Sequence, residues 1–156
     1  MDQLPEKYLN NLLIEPMDEA DVDAVATIEK ASFSDPWPSE SFHTELESNQ
    51  LAFYLVARIK PGDKAVAYIG AWKVLDEVHI TTLAVVEKYR CCGIGSRLLE
   101  ALVISTVNRG ARYLTLEVRP SNLSAIKFYE KHGFETLGRR KRYYVDEDAL
   151  IMTKEL

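Results

Sequence analysis

The chain has 156 residues, of which 47% are hydrophobic and 28% charged, and carries a net charge of −5. That is enough for one domain with a sizeable core, and no apolar run approaches the roughly 18 residues of a membrane span. The opening MDQLPEKYLNNLL has acids and no basic n-region, so it does not read as a secretory signal, and a cytoplasmic location is expected.

In chain order, LLIEPM reads as a short first strand. DEADVDAVATIEKASF follows as a helix, with Val22, Val25, Ile28 and Phe33 near helical spacing and acids in its first turn, where the helix dipole favours them. Pro36 and Pro38 break the chain, and Ser39 is placed to cap a short second helix. LAFYLVARI and KAVAYIGAWKVL are two apolar strands around the turn signal KPGDK, and EVHITTLAVV is a third. GIGSRLLEALVISTVNRG is the strongest helix: Ile94, Leu98, Leu102 and Val103 share a face, and Gly110 ends it.

ARYLTLEVRP then alternates, with Leu114, Leu116 and Val118 on one side and Thr115, Glu117 and Arg119 on the other. NLSAIKFYEKHGF is a helix with Asn122 as cap and Gly133 at its end, and the remainder forms two strands around an acidic turn. The order is β-α-α-β-β-β-α-β-α-β-β. Tight turns make most neighbours antiparallel, while the strand–helix–strand crossover near residue 100 demands one parallel pair. An α/β (α+β) fold follows, a mixed and mostly antiparallel sheet with helices on both faces, in a single domain over residues 1–156.

Charge is uneven. Residues 1–78 carry 15 acids and 6 bases, and residues 79–156 carry 9 acids and 13 bases. Such a split suits two different partners, although surface charge also falls unevenly without cause. Cys91 and Cys92 are adjacent. A bridge between them would close almost no loop, and the spacing is not the C-x-x-C of redox centres. Zinc asks for about four ligands, and His43, His79 and His132 are scattered along the chain, so no metal is expected.

The segment VVEKYRCCGIGSRLLEAL sets Gly93 and Gly95 between a strand and a helix start. Such a turn presents unpaired backbone N–H groups at the positive end of a helix dipole, where phosphates bind. Arg90 and Lys88 add positive charge. G-K-[ST] is absent, and Leu98 stands where a dinucleotide fingerprint has its third glycine. On these residues alone, a pyrophosphate site and a helix start that merely uses glycine both remain open.

LAVVEKYRCCGIGSRLLEAL resembles the acetyl-CoA loop of the GNAT acyltransferases, [QR]-x-x-G-x-[GA], with Arg90, Gly93 and Gly95 in its three defined places. The β-α-α-β-β-β-α-β-α-β-β order is also that of the GNAT fold. IEKASFSDPWPSESF, LEVRPSN, AIKFYEKHGF and RRKRYY are similar to the RimI-like branch, the ribosomal-protein-alanine N-acetyltransferases, and together they run from about residue 12 to the end. The CC pair departs from the basic or polar pair common in related enzymes, which touches a side-chain contact and not the backbone cradle.

The resemblance implies an acetyl-CoA-dependent N-acetyltransferase. The amides around Cys91, Cys92, Gly93, Ile94, Gly95 and Ser96 would hold the pyrophosphate. Backbone groups of Leu83, Ala84 and Val85 would bond the pantetheine arm and the thioester oxygen, and Asn122 would contact the cofactor, cap its helix, or both. Glu117 matches the proton acceptor, although an exposed strand glutamate paired with Arg112 or Arg119 is the plainer alternative. Tyr129 matches the acid that meets the departing thiolate. It lies seven residues after Asn122, roughly 10 Å along a helix axis. Trp37, Tyr143 and Tyr144 would line the acceptor side, or pack in the core.

Direct attack in a ternary complex is then the expected route, with Cys91 and Cys92 away from the thioester. The implied acceptor is a protein N-terminus, that of a basic ribosomal protein. Lysine or a small amine as acceptor, and an acetyl-CoA-binding module without catalysis, are the competing readings. The run Arg139 to Arg142 reads as a solvated hairpin face, or as helping to hold the ribosomal target or cofactor, rather than as a nucleic-acid contact, and no membrane partner is expected.

Overall fold

A computed structural model describes residues 9–156. The first eight residues, which begin the stretch read above as carrying no secretory signal, lie outside the described residues. The strands are β1 (Leu13–Pro16), β2 (Ala52–Arg58), β3 (Ala67–Val74), β4 (Glu77–Val85), β5 (Tyr113–Val118), β6 (Glu135–Arg140) and β7 (Ala149–Glu155). The helices are α1 (Val22–Ser32), α2 (Ser39–Ser48), α3 (Ile94–Val107) and α4 (Leu123–Lys131). Their succession is the one expected from the sequence. Among the described residues, no helix is long and apolar enough to cross a membrane.

All seven strands join one sheet in the order β1-β2-β3-β4-β5-β7-β6. Every neighbouring pair is antiparallel except β4 and β5, which are joined by the α3 crossover. That parallel pair is short: Glu77, Val78 and His79 face Tyr113, Leu114 and Thr115, and there the ladder stops. Beyond it β5 is paired only with β7 and the rest of β4 only with β3. The sheet therefore forks.

A bulge sits on the β4 tine. Ala71 pairs with Ile80 and Gly70 with Thr82, so Thr81 is the extra residue. An extra residue inverts the alternation of side chains. Val78 and Ile80 belong to the core cluster under α3 and α4, with Leu98, Leu102, Leu114 and Leu116. Ala84 belongs to the cluster on the opposite face, with Val22, Val25 and Ile28 of α1 and Phe42 of α2. Leu83 and Val85 now turn to the α3 side.

Three local differences from the sequence reading have simple causes. α1 ends at Ser32, and Phe33, taken as part of its apolar face, is extended (φ −128°) and 37% exposed. Ser39 is the first residue of α2 and not its cap: Pro38 occupies that place without a side-chain bond, as its fixed φ suits a helix start. The true capping box is one turn ahead of α1, where Asp18 accepts from Ala20 N and Asp21 accepts from Asp18 N.

Two interactions hold the α1–α2 layer. Phe42 is fully buried, with ring centroids 5.8 Å from Trp37, 6.3 Å from Tyr54 and 5.9 Å from Tyr68. The Tyr54 ring lies over Gly70, where a Cβ would stand 2.4 Å from it. At the sheet edge, Arg58 grips buried Asp21 through both guanidinium ends, at 2.6 and 2.9 Å. Burial raises the Asp21 carboxyl pKa, but the hydrogen bonds and charge of Arg58 outweigh it and hold the group below its usual range.

Phe42→Ala should cost about 3–5 kcal/mol, read as a fall in the urea midpoint at unchanged slope. Asp21→Asn should destabilise by about 2–3 kcal/mol at pH 7, since it leaves the Arg58 guanidinium, 11% exposed, with Glu15 as its remaining carboxylate partner. Because the folded pKa of Asp21 is depressed, its contribution is present above the unfolded value and is lost as pH falls through the folded one. The gap between wild type and Asp21→Asn should therefore narrow from pH 4 downward in urea titrations.

Candidate active site

The glycine turn lies between the end of β4 and the start of α3. Val86 donates its N–H back to Val66 O at 2.8 Å. N–H groups alternate along a strand, so those of Val85 and Leu83 point the other way, into the fork that β5 has left. A 3-10 turn (Glu87–Tyr89) then leads to Cys91 and Gly93, both with positive φ (61° and 89°). Gly93 caps α3 with no side-chain bond, and the first turn of α3 holds no acid. Among the described residues, the amides of Ile94, Gly95 and Ser96 thus begin a helix with no acid in its first turn and no side-chain cap, as suits an anion. At Gly95, an added Cβ would touch the Phe128 ring at 3.5 Å.

Arg90 turns back into the protein. Its Nε donates to Val85 O at 2.9 Å and its Nη2 to Ser32 Oγ at 3.3 Å, so it ties the turn to β4 and to the end of α1. Cys92 is buried with its thiol 3.4 Å from Arg90 O, while Cys91 is exposed. Ser96 shares a 2.8 Å hydrogen bond with His132 Nε2 at the end of α4. That contact joins the first turn of one helix to the last of another, and the sequence reading had no signal for it.

Across the fork, the polar face of β5 offers Glu117. The plainer reading of an exposed strand glutamate paired with Arg112 or Arg119 does not hold: the side chain is 7% exposed, and its partners are His79 and Arg140. Oε2 is hydrogen-bonded to His79 Nε2, and Oε1 lies 3.4 Å from Arg140 Nε. The hydrogen bond from His79 lowers the carboxyl pKa below its ordinary range, against the opposing effect of burial. Arg119 is committed elsewhere, 2.5 Å from Asp146 and stacked 4.2 Å over the Tyr144 ring.

Tyr129 of α4 is 8% exposed, with its ring between Phe128 (5.1 Å) and Phe134 (5.2 Å). Burial raises the pKa of its phenol, which keeps its proton at neutral pH. Asn122 caps α4: its Oδ1 accepts from Ala125 N at 3.2 Å and from Ser124 Oγ at 3.2 Å. The capping role is therefore filled.

The acceptor side of the sequence reading falls in two places. Tyr143 and Tyr144 lie edge to face, 5.0 Å apart, in the loop between β6 and β7. Burial raises the pKa of both phenols, that of Tyr144 to about 12, and the Glu117 charge adds to each shift. Arg140, the last residue of β6, reaches Glu117 Oε1 at 3.4 Å, so the loop begins beside the β5 carboxylate. Trp37 packs on Phe42 and is anchored by its backbone N–H, 3.4 Å from Glu29 Oε1. Glu29 is a buried carboxylate whose pKa is raised by that burial, and it also accepts from Tyr68 and, at 3.2 Å, from Thr82. Neither Glu29 nor His79 was singled out in the sequence.

The comparisons with known proteins agree with this geometry. The family model described as Acetyltransferase (GNAT) family matches residues 22–134. A Bacillus subtilis protein, a candidate ribosomal protein bS18-alanine N-acetyltransferase, is 44% identical over 134 residues, 85% of this chain and 87% of its own. The Escherichia coli (strain K12) ribosomal protein bS18-alanine N-acetyltransferase is 36% identical over 143 residues, 89% of this chain and 94% of its own. The crystal structure of the ribosomal-protein-S18-alanine N-acetyltransferase from Escherichia coli superposes with a TM-score of 0.82 at 32% identity, covering 92% of this chain and 93% of that one. The forked sheet, the uncapped helix behind a glycine turn and these likenesses lead to one conclusion: the chain belongs to the GNAT acetyltransferase family and is an acetyl-CoA-dependent N-acetyltransferase.

Proposed function

We infer that this enzyme moves the acetyl group of acetyl-CoA to a protein N-terminal α-amine, that of an N-terminal alanine in a ribosomal protein akin to bS18. The observation that carries the reading is the fork after His79: a strand edge without a β5 partner at Leu83–Val85 on one tine and the Glu117 carboxylate on the other, ahead of a helix N-terminus with no side-chain cap. The names of the relatives supply the acceptor. An acidic first half, residues 1–78, suits the basic N-terminus of a ribosomal protein, and the basic second half suits the anionic cofactor. A cytoplasmic location accords with that substrate, and residues 1–156 act as one domain.

In this reading the backbone from Cys91 to Ser96 binds the pyrophosphate, with Arg90 bracing the turn. The N–H groups of Leu83 and Val85 are free to bond the pantetheine arm and the thioester oxygen, the Val85 amide stabilising the oxyanion. The acceptor enters between the α1–α2 segment with Trp37 and the β6–β7 loop with Tyr143 and Tyr144. An α-amine has a reference pKa of about 7.7–8.0 and is mostly protonated at neutral pH. The ionised Glu117 attracts that ammonium and sustains loss of its proton. Tyr129, still protonated, donates a hydrogen bond to the thiolate as it departs. No acetyl-enzyme forms, and the steps call on no metal.

The test is steady-state acetylation of an alanine-first peptide, with a lysine peptide blocked at its N-terminus and a polyamine as rival acceptors. The alanine-first peptide should be preferred. Glu117→Gln should lower kcat by about 10²-fold and Tyr129→Phe by about 10-fold or more, each with the KM for acetyl-CoA within about threefold. Wild-type turnover in both variants would show the assignment to be wrong. Separately, Glu40→Lys combined with Glu47→Lys should raise the KM of a basic peptide several-fold at low salt and leave that of acetyl-CoA unchanged; an unmoved peptide KM would remove the charge argument.

A further inference from the structure

His79 occupies the last paired position of the β4–β5 ladder, opposite Thr115, where the tines part. The bulge at Thr81 lies two residues on, so His79 keeps the phase of the first half of β4 and shares a sheet face with Glu117. Nε2 is bonded to Glu117 Oε2, and the second carboxylate oxygen faces Arg140 at 3.4 Å. Both oxygens are thus engaged. The histidine side chain is 30% exposed and the glutamate 7%. The ring is the more open of the two, and Nδ1 is its remaining nitrogen.

We propose that His79 is the immediate proton acceptor of the reaction, and that Glu117 orients its ring and balances the charge it gains. The inference rests on the acetyl-transfer reading above. With Nε2–H donated to the carboxylate, Nδ1 carries a lone pair. One proton passes from the acceptor ammonium to Nδ1, leaving a neutral amine and an imidazolium against Glu117, the arrangement of a histidine–carboxylate pair in hydrolases. The amine lone pair forms the bond to the thioester carbon, and the C–S bond breaks. The second proton of the attacking nitrogen ends on the sulfur, and the imidazolium passes its own to water. The products are the amide, free CoA thiol and one proton.

Energetics favour this division of labour. An α-amine lies about 3.5 pKa units above an ordinary glutamate and only about 1.5 above an ordinary imidazole. Glu117 is held below the ordinary carboxylate value by its own hydrogen bond from His79, which widens the first gap. Besides Glu117 itself, the charged and titratable groups around His79 and its carboxylate are Arg140 from β6, Tyr143 and Tyr144 from the following loop, and Glu45 from α2. Glu45 acts through Trp72, whose Nε1 it accepts at 2.7 Å and whose ring stands edge-on to His79 at 6.4 Å.

The deciding experiment compares wild type with His79→Gln, which keeps an N–H for Glu117 but cannot take a proton, on an alanine-first peptide from pH 6.5 to 10. Expected is a kcat about 10²-fold lower at pH 7 that recovers to within about threefold at pH 10, where the amine sheds its proton unaided. The KM for acetyl-CoA should stay within twofold. A variant equal to wild type at pH 7, or lowered by one constant factor at every pH as a merely structural lesion would be, overturns the proposal. A wild type inert on the peptide at all pH overturns the functional reading and this role with it. In that event the pairing is still read without turnover: in substrate-free protein, His79→Phe should raise the titration midpoint of the Glu117 carboxyl followed by 13C NMR, and an unmoved midpoint shows the two side chains to be unpaired.

Discussion

Everything chemical in this molecule depends on a ladder that stops. β4 and β5 share three residue pairs and then separate, because β5 continues against β7 while β4 continues against β3. A sheet interior normally satisfies each backbone N–H and C=O within itself. Here a stretch of β4 is left with one side open, and the opening is wedge-shaped. A wedge of unpaired backbone is suited to an extended, amide-bearing ligand, which can complete the hydrogen bonding that the missing strand would have supplied. The pantetheine arm of coenzyme A is such a ligand.

The two helical layers have different tasks around that wedge. α3 and α4 cover one face with the larger core cluster, to which Tyr129 belongs. α1 and α2 cover the other face through Phe42, and their junction is fixed by buried Glu29, which bonds the Trp37 backbone, Tyr68 and Thr82 together. A buried carboxylate with several partners is costly if one is lost, and it fixes one geometry when all are present. The Trp37 segment is therefore firmly fixed, whereas the loop between β6 and β7 is largely polar and exposed.

Much of this was legible in the residues. Pattern and turn signals gave the strands and helices in order, most plainly through the alternation in β5, the apolar face of α3, and a cap and a glycine around α4. The glycine turn and the start of α3 were legible, whereas a phosphate-binding use for them came from the family resemblance and not from the turn's own residues. The partner of Glu117 was not, since His79 lies 38 residues away across the whole α3 crossover, and the register of a parallel pair is set by packing. The bulge was equally hidden. HITTLAVV alternates badly in any phase, and only the pairing of Gly70 with Thr82 shows that Thr81 is the supernumerary residue. The cap at Pro38 was misjudged because serine is the commoner choice, whereas the chain relies there on a fixed φ.

The supernumerary Thr81 also makes β4 two half-strands spliced out of phase. Its first half shows one layer what its second half shows the other, so the strand works as a hinge-pin common to both. Removing that single residue would bring the halves back into step and transpose Thr82, Leu83, Ala84 and Val85 together: small and polar side chains would go to the layer that needs bulk, and leucine and valine to the layer that has none to spare. Length, and not only composition, is thus under constraint in this strand.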